Sequence, residues 1–153
     1  MADLSCSFVG IKSPNPFWLA SAPPTDKEVN VRRAFEAGWG GVVWKTLGEE
    51  GPPIVNVNGP RYEALHADAR RVIGFNNIEL ITDRPLQTNL EEIRQVKRDW
   101  PDRALVVSLM VPCEEAAWKA ILPMVEDTGC DGVELNFGCP HGMSERGMGS
   151  AVG

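Results

Sequence analysis

Residues 104–136, ALVVSLMVPCEEAAWKAILPMVEDTGCDGVELN, decide the fold class of this 153-residue chain. The stretch from Ala104 to Met110 is apolar except for one serine, as expected for a strand that is buried in a parallel sheet. Residues 114–127 predict a helix, although Pro123 should break or kink it. A further strand is predicted from Gly132 to Asn136. Two strands joined by a helix pair in parallel through a right-handed crossover, which indicates an α/β protein.

The N-terminal residues predict the same kind of unit, preceded by a small hairpin. The hairpin is expected at residues 4–11, and residues 17–21 predict a short buried strand before a pair of prolines. Thr25-x-x-Glu28 fits a capping box, in which each side chain satisfies a free N–H group of the first helical turn. The helix that this motif opens should end at Gly38.

The middle of the chain carries one more strand, an irregular section and one more helix. Residues 41–46 predict the strand. Residues 48–75 predict irregular structure, whose length is unusual unless the section is functional. Thr88-x-x-Glu91 fits a second capping box, and the helix that it predicts should end before Pro101.

Two architectures fit this order of elements. A small doubly wound sheet would be complete in 153 residues, whereas a (β/α)8 barrel needs about 250. The last predicted strand is followed by glycine-rich residues and no covering helix. We therefore expect residues 1–153 to form the N-terminal half of a (β/α)8 TIM barrel, truncated to about four strands, with an N-terminal β-hairpin.

Charge and composition exclude several classes of function. The 15 Lys+Arg and 21 Asp+Glu residues give a net charge of −6, which argues against binding nucleic acid or its phosphates. The longest apolar stretch is far shorter than the ~20 residues that span a bilayer, and the N-terminus lacks the pattern of a signal peptide. The four cysteines form no C-x-x-C pair, so no zinc or iron–sulfur site is predicted. We expect a cytoplasmic protein with free thiols, no metal and no membrane segment.

Polar residues follow the predicted strands at their carboxyl ends, where parallel α/β folds place their active sites. Ser21, Lys45, Thr46 and Asn136 occupy such positions. Lys45 could place a positive charge beside an electron-rich ring or an anion, and its alternative is a solvated lysine. Asn136 offers donors and an acceptor that suit an amide or a pyrimidine edge, and its alternative is the capping of a turn.

Cys139 and the glycine-rich residues after it are the next candidates. A cysteine of ordinary pKa, about 8.5, is mostly protonated at neutral pH, so Cys139 could act as a general acid, or as a nucleophile beside a base. The alternative is a buried, inert cysteine. Residues 142–149 predict a lid over the site or, alternatively, an unstructured end. Of Asn76 and Asn77, one amide is expected to bind a ligand and the other to cap a turn.

Four motifs together resemble a known family over residues 8–153. They are NPFxLAS at residues 15–21, AGWGGxVxKT at 37–46, NIELI at 77–81 and ELNFxCPHGMxERGMG at 134–149. The family is dihydropyrimidine dehydrogenase, of the dihydroorotate dehydrogenase-like superfamily. The pyrimidine-reducing, FMN-binding subunit of the bacterial NAD-dependent enzyme is the nearest match.

The resemblance implies an FMN-dependent barrel that interconverts uracil or thymine and their 5,6-dihydro forms in pyrimidine catabolism. FMN N5 would exchange hydride with C6 of the pyrimidine, and Cys139 would protonate C5 as the general acid. By the same motifs, the flavin-binding residues would be Ser21, Lys45 and Thr46, and the pyrimidine-binding residues would be Asn77, Asn136, Phe137 and Gly138.

The resemblance also implies partners and leaves alternatives. Electrons would come from NADH through FAD and iron–sulfur clusters in a partner subunit or in regions missing from this chain, and an oligomer is expected. Gly138 stands where the family usually has Ser, but this departure removes no proposed catalytic group. The second half of the barrel with its phosphate site is absent, so the isolated piece should be inactive. The alternatives are a class 1 dihydroorotate dehydrogenase, against which the residue 141–149 sequence argues, and a non-catalytic piece of the parent enzyme.

Overall fold

A four-stranded parallel sheet forms the centre of the molecule in the computed structural model, which describes residues 2–50, 54, 61–139 and 147–149. Along the chain the strands are β1 (Cys6–Phe8), β2 (Ile11–Ser13), β3 (Trp18–Leu19), β4 (Gly41–Leu47), β5 (Tyr62–His66), β6 (Val72–Asn77), β7 (Ala104–Leu109) and β8 (Gly132–Leu135). The helices are α1 (Glu28–Glu36), α2 (Leu86–Asp99) and α3 (Glu115–Glu126).

The strands of the central sheet lie in the order in which the chain makes them, β3-β4-β7-β8, and all of their pairings are parallel. One helix lies in each connection, as the sequence predicts. A doubly wound sheet reverses its direction of growth at the strand where its ligand binds. A sheet that adds each new strand on the same side is instead the arrangement of successive βα units in a barrel.

The core lies between this sheet and its helices. Strand β7 is buried at all six positions, and the predicted apolar face of α2 packs on the sheet through Leu90, Ile93 and Val96. The helix prediction for residues 114–127 is also confirmed, since α3 runs through Pro123 without ending. Pro123 lies in the last turn of α3, where its missing N–H group removes only one helical hydrogen bond. No helix among the described residues is long and apolar enough to cross a membrane.

The N-terminal hairpin is confirmed, but the first capping box is wrong. Thr25 is fully buried and closes a short 3-10 turn, in which its hydroxyl accepts the Ala22 N–H at 3.2 Å. Helix α1 begins three residues later, at Glu28. The Glu28 N–H donates to Glu92 Oε2 of α2 at 2.9 Å, so the cap comes from a residue far away in the sequence.

The second capping box is wrong as well, because α2 begins at Leu86, after Pro85, and Thr88 lies inside its first turn. The prediction of irregular structure over residues 48–75 is also wrong for its second half. Strands β5 and β6 pair there as an antiparallel hairpin. Both strands are largely exposed, so they lack the alternation of apolar and polar residues by which a half-buried strand is recognised.

Candidate active site

A pocket of about 150 Å³ opens at the carboxyl ends of the central strands. Parallel strands bring the residues that follow them to one edge of the sheet. The pocket is lined by Ser21, Ala22, Pro23, Lys45, Thr46, Tyr62, Asn77, Glu79, Leu80, Ile81, Asn136 and Cys139. Six of the eight predicted site residues are therefore together, although they come from four motifs that are distant from one another in the sequence.

Thr46 is the centre of a hydrogen-bond network beneath this pocket. Its Oγ1 lies 3.0 Å from Ser21 Oγ and 2.9 Å from Ser108 Oγ, and it accepts a hydrogen bond from Asn136 Nδ2 at 3.0 Å. The Thr46 backbone N–H also donates to Ser21 Oγ at 3.0 Å. The network joins the carboxyl ends of all four strands of the central sheet and holds these side chains in one arrangement.

Asn136 is fixed in orientation by its backbone neighbours. Its Oδ1 accepts the N–H groups of Gly138 and Cys139, each at 3.2 Å, and its Nδ2 donates to Thr46. An amide Nδ2 has two protons, so one of them is left for a ligand. Asn136 thus caps the turn and can still bind a ligand, the two roles that the sequence left as alternatives.

Lys45 is a buried cation with a matched charge. Its side chain is 4% exposed and its Nζ donates to Glu79 Oε1 at 2.6 Å and to the Leu80 carbonyl oxygen at 2.8 Å. Arg61 also donates to Glu79, at 2.8 and 3.1 Å. An ammonium group has three protons, so Lys45 keeps one for a ligand. The alternative of a solvated lysine is wrong.

Asn77 and Tyr62 reach the pocket from the exposed hairpin. Asn77 Oδ1 accepts the Glu79 N–H at 2.7 Å, which shows that this amide caps a turn. Asn77 also lines the pocket, beside Tyr62. The Tyr62 ring stacks on Phe75, with ring centroids 6.1 Å apart.

Cys139 is half-buried and packs with Met148, which is fully buried together with Ile81 and Met110. Gly149 has a φ of +56°, and a Cβ atom there would overlap the Cys139 carbonyl oxygen and lie 2.9 Å from Met110 Sδ. The part of the predicted lid at residues 147–149 is therefore packed down beside Cys139. Residues 142–146 of that lid lie outside the described residues.

Two predicted pyrimidine-binding residues do not line the pocket. The Phe137 side chain is 42% exposed and lies in an apolar groove with Trp118 and Leu135. The Gly138 N–H group donates to Asn136 Oδ1.

Asp26 supplies a carboxylate behind the site. The Thr82 hydroxyl donates to its Oδ1 at 2.6 Å, and the Thr82 N–H donates to the Thr46 carbonyl oxygen at 3.0 Å. Burial raises the pKa of the Asp26 carboxyl above its usual value, against the lowering effect of the Thr82 hydrogen bond.

Sequence reasoning missed the roles of Ser108 and Glu79. Ser108 is the one polar residue in the apolar stretch from Ala104 to Met110, and Glu79 is the one charge within the NIELI motif. A single polar side chain within an apolar stretch must find a buried partner. That signal was available, but it could not say which partner.

Comparisons with known proteins agree with this fold. Residues 78–152 match the family model "Dihydrouridine synthase (Dus)", a family of TIM barrels. The chain is 46% identical to "Dihydropyrimidine dehydrogenase (NADP(+)), chloroplastic" of Arabidopsis thaliana and 41% identical to "NAD-dependent dihydropyrimidine dehydrogenase subunit PreA" of Escherichia coli K12, over 99% of this chain in both cases. It is 29% identical to "Dihydroorotate dehydrogenase B (NAD(+)), catalytic subunit" of Thermoplasma acidophilum, of which it spans 46%.

The four-stranded parallel sheet and its strand-end pocket are consistent with the TIM-barrel fold of the matched family, and the relatives are named as dehydrogenases. The resemblance to dihydropyrimidine dehydrogenases that the motifs predict is confirmed, since two proteins of that name are similar to this chain over 99% of its length. The chain spans 36% of the length of those two relatives.

Proposed function

We propose that this chain builds part of an FMN-dependent site at which uracil or thymine and their 5,6-dihydro forms are interconverted. The observation that carries the proposal is the convergence of hydroxyl, ammonium, amide and thiol groups in one strand-end pocket. These groups stand in a chain that is 41–46% identical to dihydropyrimidine dehydrogenases.

The donor set of the pocket fits a flavin ring. Ser21 offers a hydroxyl proton, Thr46 holds Ser21 in place through two hydrogen bonds, and Lys45 keeps one N–H for a ligand after its bonds to Glu79 and Leu80. A cation here favours negative charge on an electron-rich ring. FMN, when bound, supplies the hydride that reaches C6 of the pyrimidine.

The pyrimidine would be held by amides and protonated by a thiol. Asn136 directs its remaining Nδ2 proton to the ligand, and Asn77 lines the same pocket. The backbone of Phe137 and Gly138 would add carbonyl acceptors for ring N–H groups. Cys139 would then give its thiol proton to C5 as C6 receives the hydride, and the reverse reaction returns that proton to the sulfur.

A partner subunit would complete the electron path. The Escherichia coli relative is named as a subunit, which supports an assembly in which NADH is oxidised elsewhere. FAD and iron–sulfur clusters in that partner, or in parts of the protein outside this chain, would carry electrons to FMN. An oligomeric state and a cytoplasmic location remain predictions.

The charges of the pocket favour an uncharged pyrimidine over orotate. Among the described lining residues Lys45 is the cation, and Glu79 already matches its charge at 2.6 Å. Arg61, beside the pocket, is paired with Glu79 and, at 3.7 Å, with Asp83, so the two cations are balanced by two carboxylates. A substrate carboxylate would lack a counter-charge here, which would weaken its binding.

The test is a cysteine substitution in the full-length protein. Cys139→Ala should lower uracil turnover at least about a hundredfold, the range expected for a lost general acid, and should retain the flavin absorption. Cys113→Ala is the matched control, because Cys113 is exposed and does not line the pocket. Unchanged turnover in Cys139→Ala would refute the assignment of the general acid.

A further inference from the structure

Ser108 is a buried hydroxyl for which the proposed chemistry gives no role. It lies in β7 and has no exposed surface. Its Oγ lies 2.9 Å from Thr46 Oγ1, and Thr46 is the hydrogen-bond partner that the described part of the chain gives it. A buried hydroxyl with a single partner has a preferred direction for its proton.

Thr46 Oγ1 has one proton and two lone pairs to share among three neighbours. Asn136 Nδ2 can only donate, so it takes one lone pair. The amide cannot be turned over, because Asn136 Oδ1 is already engaged with two backbone N–H groups. One lone pair and one proton therefore remain for Ser21 and Ser108.

Burial decides which of the two serines accepts the Thr46 proton and which one donates to the Thr46 lone pair. If Thr46 donated to Ser108, the Ser108 proton would have no acceptor in a place that water does not reach, which is unfavourable. If Ser108 donates to Thr46, both groups are satisfied. Thr46 must then donate its own proton to Ser21.

The consequence appears at Ser21, which lines the pocket and is the last hydroxyl of the series Ser108, Thr46, Ser21. Ser21 Oγ then accepts two hydrogen bonds from Thr46, one from the hydroxyl and one from the backbone N–H, both at 3.0 Å. Both of its lone pairs are used. The remaining group of Ser21 is its proton, which is free to point into the pocket.

We infer that Ser108 is a positioning residue that sets the direction of the chain Ser108→Thr46→Ser21, so that Ser21 acts toward a ligand as a donor only. The ligand ring places an acceptor, a carbonyl oxygen or an unprotonated ring nitrogen, against Ser21. The ligand half of this inference rests on the proposed flavin site. The direction of the hydroxyl chain does not.

Neutron diffraction on crystals of the perdeuterated, ligand-free protein tests the direction itself. We expect the Ser108 deuterium to lie toward Thr46, the Thr46 deuterium to lie toward Ser21, and the Ser21 deuterium to point into the pocket. A Thr46 deuterium directed at Ser108, wholly or in part, would overturn the inference. This result is independent of any activity or cofactor.

FMN binding to the full-length apoprotein tests the ligand half. Ser21→Ala should weaken binding about tenfold, as expected for one lost hydrogen bond. Ser108→Ala should weaken it about twofold, because Thr46 is no longer held to one orientation and about half of the population stays competent. Ser108→Thr, which keeps the hydroxyl, should restore the wild-type affinity.

The outcomes separate the two halves. Wild-type affinity in Ser21→Ala would overturn the donor role, and wild-type affinity in Ser108→Ala would overturn the positioning role. If Ser108→Thr folds poorly, Thr46→Val is the second variant, and it should show the same loss as Ser108→Ala or a larger one. If the wild-type protein binds no FMN, the proposed function and the ligand half fall together, whereas the deuterium positions still decide the direction.

Discussion

Strands β7 and β8 are neighbours in the sheet and Leu109 pairs with Leu135, yet the two strands differ sharply in burial. Leu109 has no exposed surface, whereas Leu135 is 50% exposed. Strand β7 has β4 on its other side, but β8 has no second neighbour among the described residues. A leucine should therefore contribute more to stability in β7 than in β8, because the burial of a side chain depends on the strands on both sides and not on its own strand alone.

Buried and exposed positions can be compared in the same way for charged pairs, for glycines and for carboxylates. Lys45 and Glu79 are paired in the interior, whereas Arg94 and Asp127 are paired at the margin. Matched substitutions at a buried and an exposed position measure how much the two positions differ in their contribution to stability.

The largest effect is expected for the paired leucines. Leu109→Ala should lower the free energy of unfolding by about 3 kcal/mol, since it removes buried methylene groups and leaves a cavity. Leu135→Ala should lower it by about 1 kcal/mol or less, because half of that side chain is already in water. Urea denaturation of the two variants measures the difference, and equal losses would contradict the assignment of β8 as a margin.

The next effect is expected for Glu79→Gln, which leaves the buried Lys45 ammonium without its counter-charge and should cost about 3 kcal/mol. Lys45→Met should cost less, because Glu79 keeps Arg61 as a partner. Asp127→Asn at the margin should cost about 0.5 kcal/mol or less. Thermal unfolding of the three variants checks this order, and a loss in Asp127→Asn as large as that in Glu79→Gln would refute it.

A glycine pair gives a smaller effect. Gly149→Ala should cost about 2 kcal/mol, because its φ is positive and the new methyl group meets the Cys139 carbonyl oxygen. Gly138→Ala is the matched control, since a Cβ there meets nothing within 4 Å. Unfolding free energies measure both. A Gly149→Ala variant as stable as Gly138→Ala would show that the packing beside Cys139 is not fixed.

The smallest effect concerns pH. Burial raises the pKa of Asp26 in the folded state, so the folded protein holds this proton more tightly and its stability falls as the pH rises from the usual aspartate pKa through the folded value. Asp26→Asn should remove that fall and still accept the Thr82 hydroxyl. The Arg32 hydrogen bond lowers the pKa of Asp99, so Asp99→Asn should instead remove a gain of stability over the acidic range. If the stabilities of the two variants changed with pH in the same way, the opposite contributions assigned to Asp26 and Asp99 would be contradicted.

Burial also explains how much of the fold the sequence predicts. The continuous apolar character of Ala104 to Leu109 marks a strand because both of its faces are covered. Strands β5 and β6 carry exposed apolar residues such as Phe75, at 71% exposure. Their sequence pattern therefore does not distinguish a buried face of the hairpin from an exposed one. The start of α1 depends on Glu92, which is 64 residues away from Glu28, and no local motif contains such a partner.

The candidate site divides in the same way. Strand ends are visible in a sequence, so the grouping of Ser21, Lys45 and Asn136 could be expected from the parallel sheet alone. The partners that orient them are not visible, because Ser108 and Glu79 lie within apolar stretches and contact residues that are distant in the sequence.

The most direct test of the account is an anaerobic titration of the flavin-loaded full-length protein with dihydrouracil and with dihydroorotate, followed by the visible absorption of the flavin. The account predicts that dihydrouracil bleaches the flavin band and that dihydroorotate leaves it unchanged. Bleaching by dihydroorotate alone, or by neither compound, would contradict the proposal that this pocket serves an uncharged pyrimidine.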